Sequence, residues 1–219
     1  MAELAVALYV LYLLLAFGLR TALQVRATGS TGFHGLGGRP GSAEWFAGVL
    51  FAVALILGVA APLLALTGAI LPIEALNRSG AHVVGVFLAL LGIALTLYAQ
   101  VAMGTSWRIG VDRDERTVLV TDGPFAWVRN PIFSAMIPTA IGLALMVPSI
   151  VAIAAVVALA VALELQVRVV EEPYLLSAQG RPYRDYASRT GRFVPKLGRL
   201  QGSDALGVPP PEERRSPLV

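Results

Sequence analysis

The chain has 219 residues, of which 56% are hydrophobic and 14% charged, and its formal net charge is +3. A mean hydropathy of +0.71 excludes an ordinary soluble domain, in which about 25% of residues are charged. With no cysteine and only two histidines, the chain is not expected to hold disulfides or a metal site. Its cations lie beside apolar segments, so no nucleic-acid partner is expected.

Three apolar segments in the first half are long enough to span a bilayer, which takes about 20 residues. The first is interpreted as a retained helix, because only Glu3 precedes it and Arg20 follows it, unlike a secretory signal. The glycine-rich loop 28–42 has no dinucleotide-binding fingerprint and is either a linker or a lid over a site. The three predicted spans are residues 4–19, 45–66 and 81–103.

A fourth apolar region, residues 132–170, is too long for one span. It is predicted to fold back at Pro148 as a helical hairpin, because proline cannot donate its amide and disfavours helix in the preceding residue. With five spans, 16 of the 17 cations lie on one face. The positive-inside rule then predicts an outside N-terminus, and cytosolic basic loops and C-terminus, in the inner or plasma membrane.

The predicted fold class is therefore all-α, a polytopic integral membrane protein with about five transmembrane helices. Residues 1–97 hold the N-terminal spans and the glycine-rich loop, and residues 98–200 hold the remaining spans and the polar segments beside them. The run RPYRDYASRTGR after the last span predicts a cytosolic helix lying at the membrane interface. Residues 201–219, with three consecutive prolines, are expected to be disordered.

Polar residues gather where the last three predicted spans end. Trp107, after the third span, is interpreted as a membrane-interface anchor. Glu164, Arg168 and either Glu171 or Glu172 share one helical stripe at the end of the fifth span. This stripe is either an ion-pair ladder in which Arg168 neutralises the acids, or part of a site facing a polar cavity.

The order of these motifs resembles the isoprenylcysteine carboxyl methyltransferases and the related phospholipid N-methyltransferases. The resemblance covers residues 98–196 and implies that residues 98–200 form a methyltransferase-like membrane catalytic core. The chain departs from the family pattern at two positions. Asn130 replaces the usual histidine, so it hydrogen-bonds but does not titrate near neutrality, and Phe133 replaces the usual tyrosine. The matching residues are Gly123, Pro124, Phe125, Arg129 and Pro131, then Glu171 and Glu172, then Gly180, Tyr183, Tyr186 and Arg189.

The resemblance implies S-adenosylmethionine as cofactor and a lipophilic acceptor that enters from the inner leaflet with a carboxylate, amine or hydroxyl head group. Aromatic faces suit the sulfonium and an arginine suits the cofactor carboxylate. Two alternatives are an NADPH-dependent, sterol-type membrane reductase and a non-catalytic membrane subunit or transporter. The implied catalytic residues are Arg129, Glu171 and Glu172, and the implied cofactor-binding residues are Gln100, Asn130, Pro131, Phe133, Tyr183, Tyr186 and Arg189.

Overall fold

The structure is a computed structural model that describes residues 1–32, 37–107 and 118–200. In these ranges the chain is helical and forms no strand; its one β-bridge joins Val128 to Gly191. Short 3-10 turns occupy Gly104–Ser106 and Gly123–Ala126. The longer helices are α1 (Ala2–Thr28), α2 (Ala43–Leu66), α3 (Ser79–Met103), α4 (Pro131–Met146), α5 (Ile150–Gln179) and α6 (Arg181–Arg189).

Four helices in the described ranges, α1, α2, α3 and α5, are long and apolar enough to cross a membrane. The fold class of an all-helical membrane protein is therefore confirmed. Helix α4 has 16 residues, or about 24 Å, which is less than the hydrocarbon thickness of about 30 Å. The count of five spans and the orientation of the termini stay predictions.

The helix is interrupted at the predicted position. Helix α4 ends at Met146 and α5 begins at Ile150. The Ser149 hydroxyl accepts a hydrogen bond of 3.2 Å from the Ala152 amide and so caps α5. The three residues between the helices include Pro148, the residue from which the break was predicted.

Helices α1 and α5 extend well beyond the apolar runs that predicted them. Each contains a wider π-helical turn, Leu14–Leu19 in α1 and Gln166–Glu171 in α5. Beyond these turns, Gln24 in α1 and Glu172 in α5 are buried. The helices continue past the apolar sequence because their polar side chains find partners inside the protein.

Small residues bring α3 and α4 into backbone contact. A Cβ added at Gly92 would lie 2.2 Å from the Thr139 hydroxyl oxygen, and one at Gly142 would lie 2.4 Å from the Ala89 amide nitrogen. Membrane helices pack in this way because lipid offers no hydrophobic driving force for their association. Helix α2 packs mainly on α5, and a cavity of about 50 Å³ lies between α1, α2, α4 and α5.

The end of the bundle where α1, α3 and α5 finish and α4 begins is called the polar end below. Side chains near the C-terminus of α1 donate hydrogen bonds to the turn after α3. Arg129, which precedes the N-cap of α4, binds Glu172 of α5. Helix α6 packs at this end. Three stretches lie outside the described residues. They are part of the glycine-rich loop (33–36), part of the loop between α3 and α4 (108–117) and the tail predicted to be disordered (201–219).

Candidate functional site

A buried carboxylate lies between two arginines at the polar end. The Arg129 Nη2 atom is 2.5 Å from Glu172 Oε1, and the exposed fractions of the two side chains are 1% and 7%. Arg192 adds a bidentate pair, with its Nε and Nη2 atoms each 2.8 Å from a Glu172 oxygen. Bidentate arginine–carboxylate pairs combine charge with fixed geometry. Arg129, Glu172 and Arg192 are called the arginine–glutamate cluster below.

Other donors of Arg129 bind the end of α6 and the chain that follows it. Its guanidinium donates to the carbonyls of Ala187, Thr190 and Gly198, and its backbone amide donates to Gly191 at 2.8 Å. Arg129 therefore joins the start of α4 to α5 and to the C-terminal segment. Nearly all its hydrogen-bonding capacity is directed at the protein itself.

The segment after α6 folds tightly against the start of α4. The Asn130 amide and side chain both donate to the Arg192 carbonyl, and the Ser134 hydroxyl donates to the Phe193 carbonyl at 2.7 Å. A Cβ on Gly191 would lie 2.0 Å from the Val194 carbonyl oxygen. Only glycine fits at position 191, because a backbone atom occupies the space of any side chain.

The inner face of α6 carries two tyrosines, Tyr183 and Tyr186, which meet edge to face with ring centroids 6.2 Å apart. The Tyr186 hydroxyl donates to the Phe125 carbonyl at 2.6 Å. Burial raises the pKa of Tyr186 to about 12 and also raises the pKa of Tyr183. Hydrogen bonding to Glu172 raises the pKa of Arg192, so the phenols are neutral and the guanidinium is charged.

The structure separates the two adjacent acids at the end of α5. Glu172 is buried, whereas Glu171 is half-buried and accepts a hydrogen bond from Gln166 at 3.3 Å. Arg168 pairs with Glu164 at 2.6 Å on the surface. The ladder in which Arg168 neutralises the following acids is therefore wrong for Glu172, because the π-helical turn directs that carboxylate inward to Arg129.

The residues implied to bind cofactor occupy different surroundings. Gln100 is buried and donates to the Ala16 carbonyl at 2.8 Å, while Phe133 packs against the apolar core around Tyr12 and Leu163. Arg189 is exposed and donates to the Asp185 carbonyl. The structure brings Asn130, Pro131, Tyr183 and Tyr186 close to the cluster, and it places Gln100, Phe133 and Arg189 apart from it.

The interpretation of Trp107 as an interface anchor is wrong. Trp107 is 3% exposed, and the Arg20 guanidinium carbon lies 4.8 Å from the centroid of its ring. Trp127, in contrast, is 72% exposed. Sequence reasoning cannot tell these two tryptophans apart, because both lie in the polar loop between the third and fourth predicted spans.

Sequence reasoning missed Arg192. It lies three residues beyond Arg189, in the same basic run, and no motif distinguishes it from its neighbours. The available signal was electrostatic, because a carboxylate buried in a membrane protein needs strong compensation. Which of several nearby arginines supplies that compensation is a property of the folded chain.

The polar end carries hydrogen-bonding groups of the types that match the carboxylate and amino groups of S-adenosylmethionine. Among the described residues, the Nε atoms of Arg129 and Arg184 and the Oε1 atom of Gln100 are buried without a hydrogen-bond partner. Guanidinium N–H groups suit the cofactor carboxylate, and an amide oxygen suits an amino group. The described residues contain no group of three or more His, Cys, Asp or Glu side chains that could hold a metal ion.

The fold and this cluster define an all-helical membrane protein with buried, paired charges at one end of the bundle. Residues 81–181 match the family model described as phospholipid methyltransferase. This segment, a little under half of the chain, contains all of α3 except its first two residues, together with α4, α5, Arg129 and Glu172. Over this segment the match confirms the resemblance to the integral membrane methyltransferases.

Two curated relatives match about half of the chain. The nickel-cobalt-cadmium resistance protein NccN of Alcaligenes xylosoxydans xylosoxydans is 34% identical over 50% of this chain and 51% of its own. The cobalt-zinc-cadmium resistance protein CzcN of Cupriavidus metallidurans is 30% identical over 55% of this chain and 54% of its own. The chain thus spans about half the length of the curated relatives it matches.

One solved structure is similar at lower identity. The eukaryotic intramembrane Ras methyltransferase ICMT, an isoprenylcysteine carboxyl methyltransferase, is 24% identical. The similarity covers 71% of this chain and 51% of that chain, with a TM-score of 0.48.

Proposed function

We propose that the protein is an S-adenosylmethionine-dependent membrane methyltransferase. Its acceptor is a lipophilic molecule with a carboxylate, amine or hydroxyl head group that arrives from the inner leaflet, and methyl transfer takes place at the cytosolic face. The observation that carries the proposal is the family match over residues 81–181, because this segment includes Arg129 and Glu172, which meet in the arginine–glutamate cluster.

The geometry supports different roles for the three residues first implied to be catalytic. Arg129 and Glu172 bind each other and the C-terminal segment, so we assign them to positioning α6 and the start of α4. Glu171 is half-buried beside the cluster, and we assign it the role of proton acceptor. When bound, S-adenosylmethionine supplies a methyl group that its cationic sulfur makes electrophilic.

The need for Glu171 depends on the acceptor. An amine or hydroxyl must lose a proton during transfer, and a carboxylate side chain within reach can receive it. A carboxylate acceptor requires no base and needs only orientation and exclusion of water. Glu171→Gln is therefore expected to lower turnover by at least about 100-fold with an amine or hydroxyl acceptor, and to change it little with a carboxylate acceptor.

The cofactor is tested by calorimetric titration of the purified full-length protein with S-adenosylhomocysteine and, separately, with NADPH. We expect S-adenosylhomocysteine alone to bind. Binding of NADPH alone would favour the membrane reductase, and binding of neither would favour a non-catalytic membrane subunit or transporter. Transfer of a tritiated methyl group to the organic extract of host membranes then identifies the acceptor class.

A second role, compatible with the first, is suggested by the names of NccN and CzcN. We propose that methyl transfer by this protein contributes to the resistance of its host cell to nickel, cobalt, zinc or cadmium ions. A strain lacking the protein should then stop growing at lower concentrations of these ions and grow normally without them. Equal growth of both strains on all four metals would reject this role and leave the enzymatic proposal intact.

A further inference from the structure

A second polar cluster joins α1 to the turn after α3, outside the arginine–glutamate cluster. Gln100 of α3 donates to the Ala16 carbonyl at 2.8 Å. The partners on α1 are four residues apart and so lie on one stripe of the helix. They are Ala16, Arg20 and Gln24.

Two consecutive carbonyls of the turn after α3 receive hydrogen bonds from α1. Arg20 Nη2 donates to Gly104, and Gln24 Nε2 donates to Thr105 at 2.9 Å. Gly104 has φ 57° and ψ −138°, a backbone conformation that favours glycine. The direction in which the chain leaves α3 is therefore fixed by one glycine and by two donors from another helix.

These contacts are partly buried, although the Gly104 and Thr105 carbonyls belong to exposed residues. Gln24 is 5% exposed and Trp107 is 3% exposed, and the Arg20 guanidinium lies over the Trp107 ring at 4.8 Å. Partial burial strengthens the Gln24 hydrogen bond and the cation–π contact, because water competes less for these groups. Helix α1 is thus a fixed support for the turn.

The turn is connected to α6 by contacts between described residues. The Ser106 hydroxyl lies 3.4 Å from the Val118 carbonyl. The next residue, Leu119, packs against Tyr183 and Tyr186, and both tyrosines lie near Arg129 of the arginine–glutamate cluster. Helix α1 precedes the family-matched segment 81–181, yet it supports the chain that covers α6.

We propose that Arg20 and Gln24 are positioning residues for the methyl-transfer site. They act through the turn Gly104–Ser106, which orients the chain that packs on α6. This inference rests on the proposed function, because the effect it predicts is on binding of the cofactor product.

The test compares Arg20→Gln with Arg26→Gln in the full-length protein. Both variants remove one cation from the same helix, but Arg26 is exposed and lies off the stripe that contacts the turn. Amide hydrogen exchange without ligand is measured over residues 104–107 and 119–126, and S-adenosylhomocysteine affinity is measured by calorimetry. For Arg20→Gln we expect faster exchange in both segments and at least about fivefold weaker binding, within the usual range of coupling between sites.

The control Arg26→Gln is expected to match the wild type in both measurements. Arg20→Lys keeps the charge and a donor but loses the planar face over Trp107, so it should recover part of the affinity. If Arg20→Gln does not fold, Gln24→Leu replaces it, because leucine is similar in size and lacks the donor to Thr105.

Each outcome decides the proposal. Unchanged affinity in Arg20→Gln, even with faster exchange at the turn, would reduce these residues to a structural role and overturn the inference. Equal loss of affinity in Arg26→Gln would attribute the effect to net charge and also overturn it. Failure of the wild type to bind S-adenosylhomocysteine would instead reject the proposed function, and the inference with it.

Discussion

At the scale of single residues, two adjacent glutamates have different environments. Glu172 is buried against Arg129 and Arg192, whereas Glu171 remains half-buried at the edge of the cluster. Neighbouring residues of a helix point in directions about 100° apart, so only one of the two can reach the interior. The pair therefore supplies one charge that holds the structure together and one that stays close to the surface.

Glu172→Gln is expected to lower the free energy of unfolding by about 3–5 kcal/mol, because it leaves the buried Arg129 guanidinium and the half-buried Arg192 guanidinium without their anion. Glu164→Gln is the matched control, since Glu164 pairs with Arg168 on the surface and should contribute less than about 1 kcal/mol. Unfolding in a detergent titration measures both. Equal small losses would show that Glu172 is not the structural anion of the cluster.

The variant Arg129→Lys tests whether the planar guanidinium of Arg129 is needed for stability and for S-adenosylhomocysteine binding. Arg129 bonds to Glu172 and to three carbonyls at once, and a lysine ammonium has three donors and no planar fork. We expect a loss of stability on the order of 1–3 kcal/mol, accompanied by weaker S-adenosylhomocysteine binding. The sequence alone predicts that the Arg129→Lys protein inserts and binds cofactor normally and that only methyl transfer is impaired. If the variant is as stable as the wild type in a detergent titration, that sequence-based prediction holds instead.

At the scale of elements, the closest packing is between α3 and α4. Gly85 and Gly92 of α3 face Gly142 and Thr139 of α4, and any added Cβ would approach atoms of the partner helix within 3.0 Å. Because α4 leads directly from Asn130, this interface also sets the position of Arg129 relative to α3. The packing of α3 against α4 therefore affects the position of the site, through the backbone that connects α4 to Arg129.

Gly92→Ala is expected to destabilise the protein by about 1–3 kcal/mol, because the new methyl group would lie 2.2 Å from the Thr139 hydroxyl. Gly80→Ala in the same helix meets no atom within 4 Å, so its stability should be unchanged or slightly higher. Thermal unfolding of both variants in one detergent provides the comparison. A stable Gly92→Ala protein would mean that the two helices can separate without cost.

At the scale of the whole molecule, the number of membrane spans depends on whether α4 crosses the membrane. It is shorter than the other apolar helices and contains Pro138 within its length, so length alone does not establish it as a span. The charge distribution of the sequence places the cations before α4 and those at the end of α5 on the same side of the membrane only if α4 crosses as well as α5. Membrane orientation is therefore still predicted from charge.

The topology is tested by cysteine labelling, which is clean because the chain has no native cysteine. Cysteines introduced at Asn77 and Arg199, both exposed, should react with an impermeant reagent from opposite sides of the membrane. A cysteine at Leu90, in the middle of α3, should react from neither side. Reaction of positions 77 and 199 from the same side would contradict the five-span arrangement.

The sequence by itself determined the helical membrane class, the break near Pro148 and the family resemblance, because each depends on local composition or on short motifs. Helix ends were predicted less well in α1 and α5. An apolar run shows where lipid ends, whereas the helix continues as long as its polar side chains find partners, as Gln24 and Glu172 do.

Only the tertiary structure decided which charges meet. Arg129, Glu172 and Arg192 are separated by 43 and 20 positions in the chain, and a motif gives no information on which arginine reaches which acid. The pairing depends on the π-helical turn in α5, on glycine at position 191 and on the contact between α3 and α4. These are properties of packed backbones, and a one-residue change in helical phase would exchange the roles of Glu171 and Glu172.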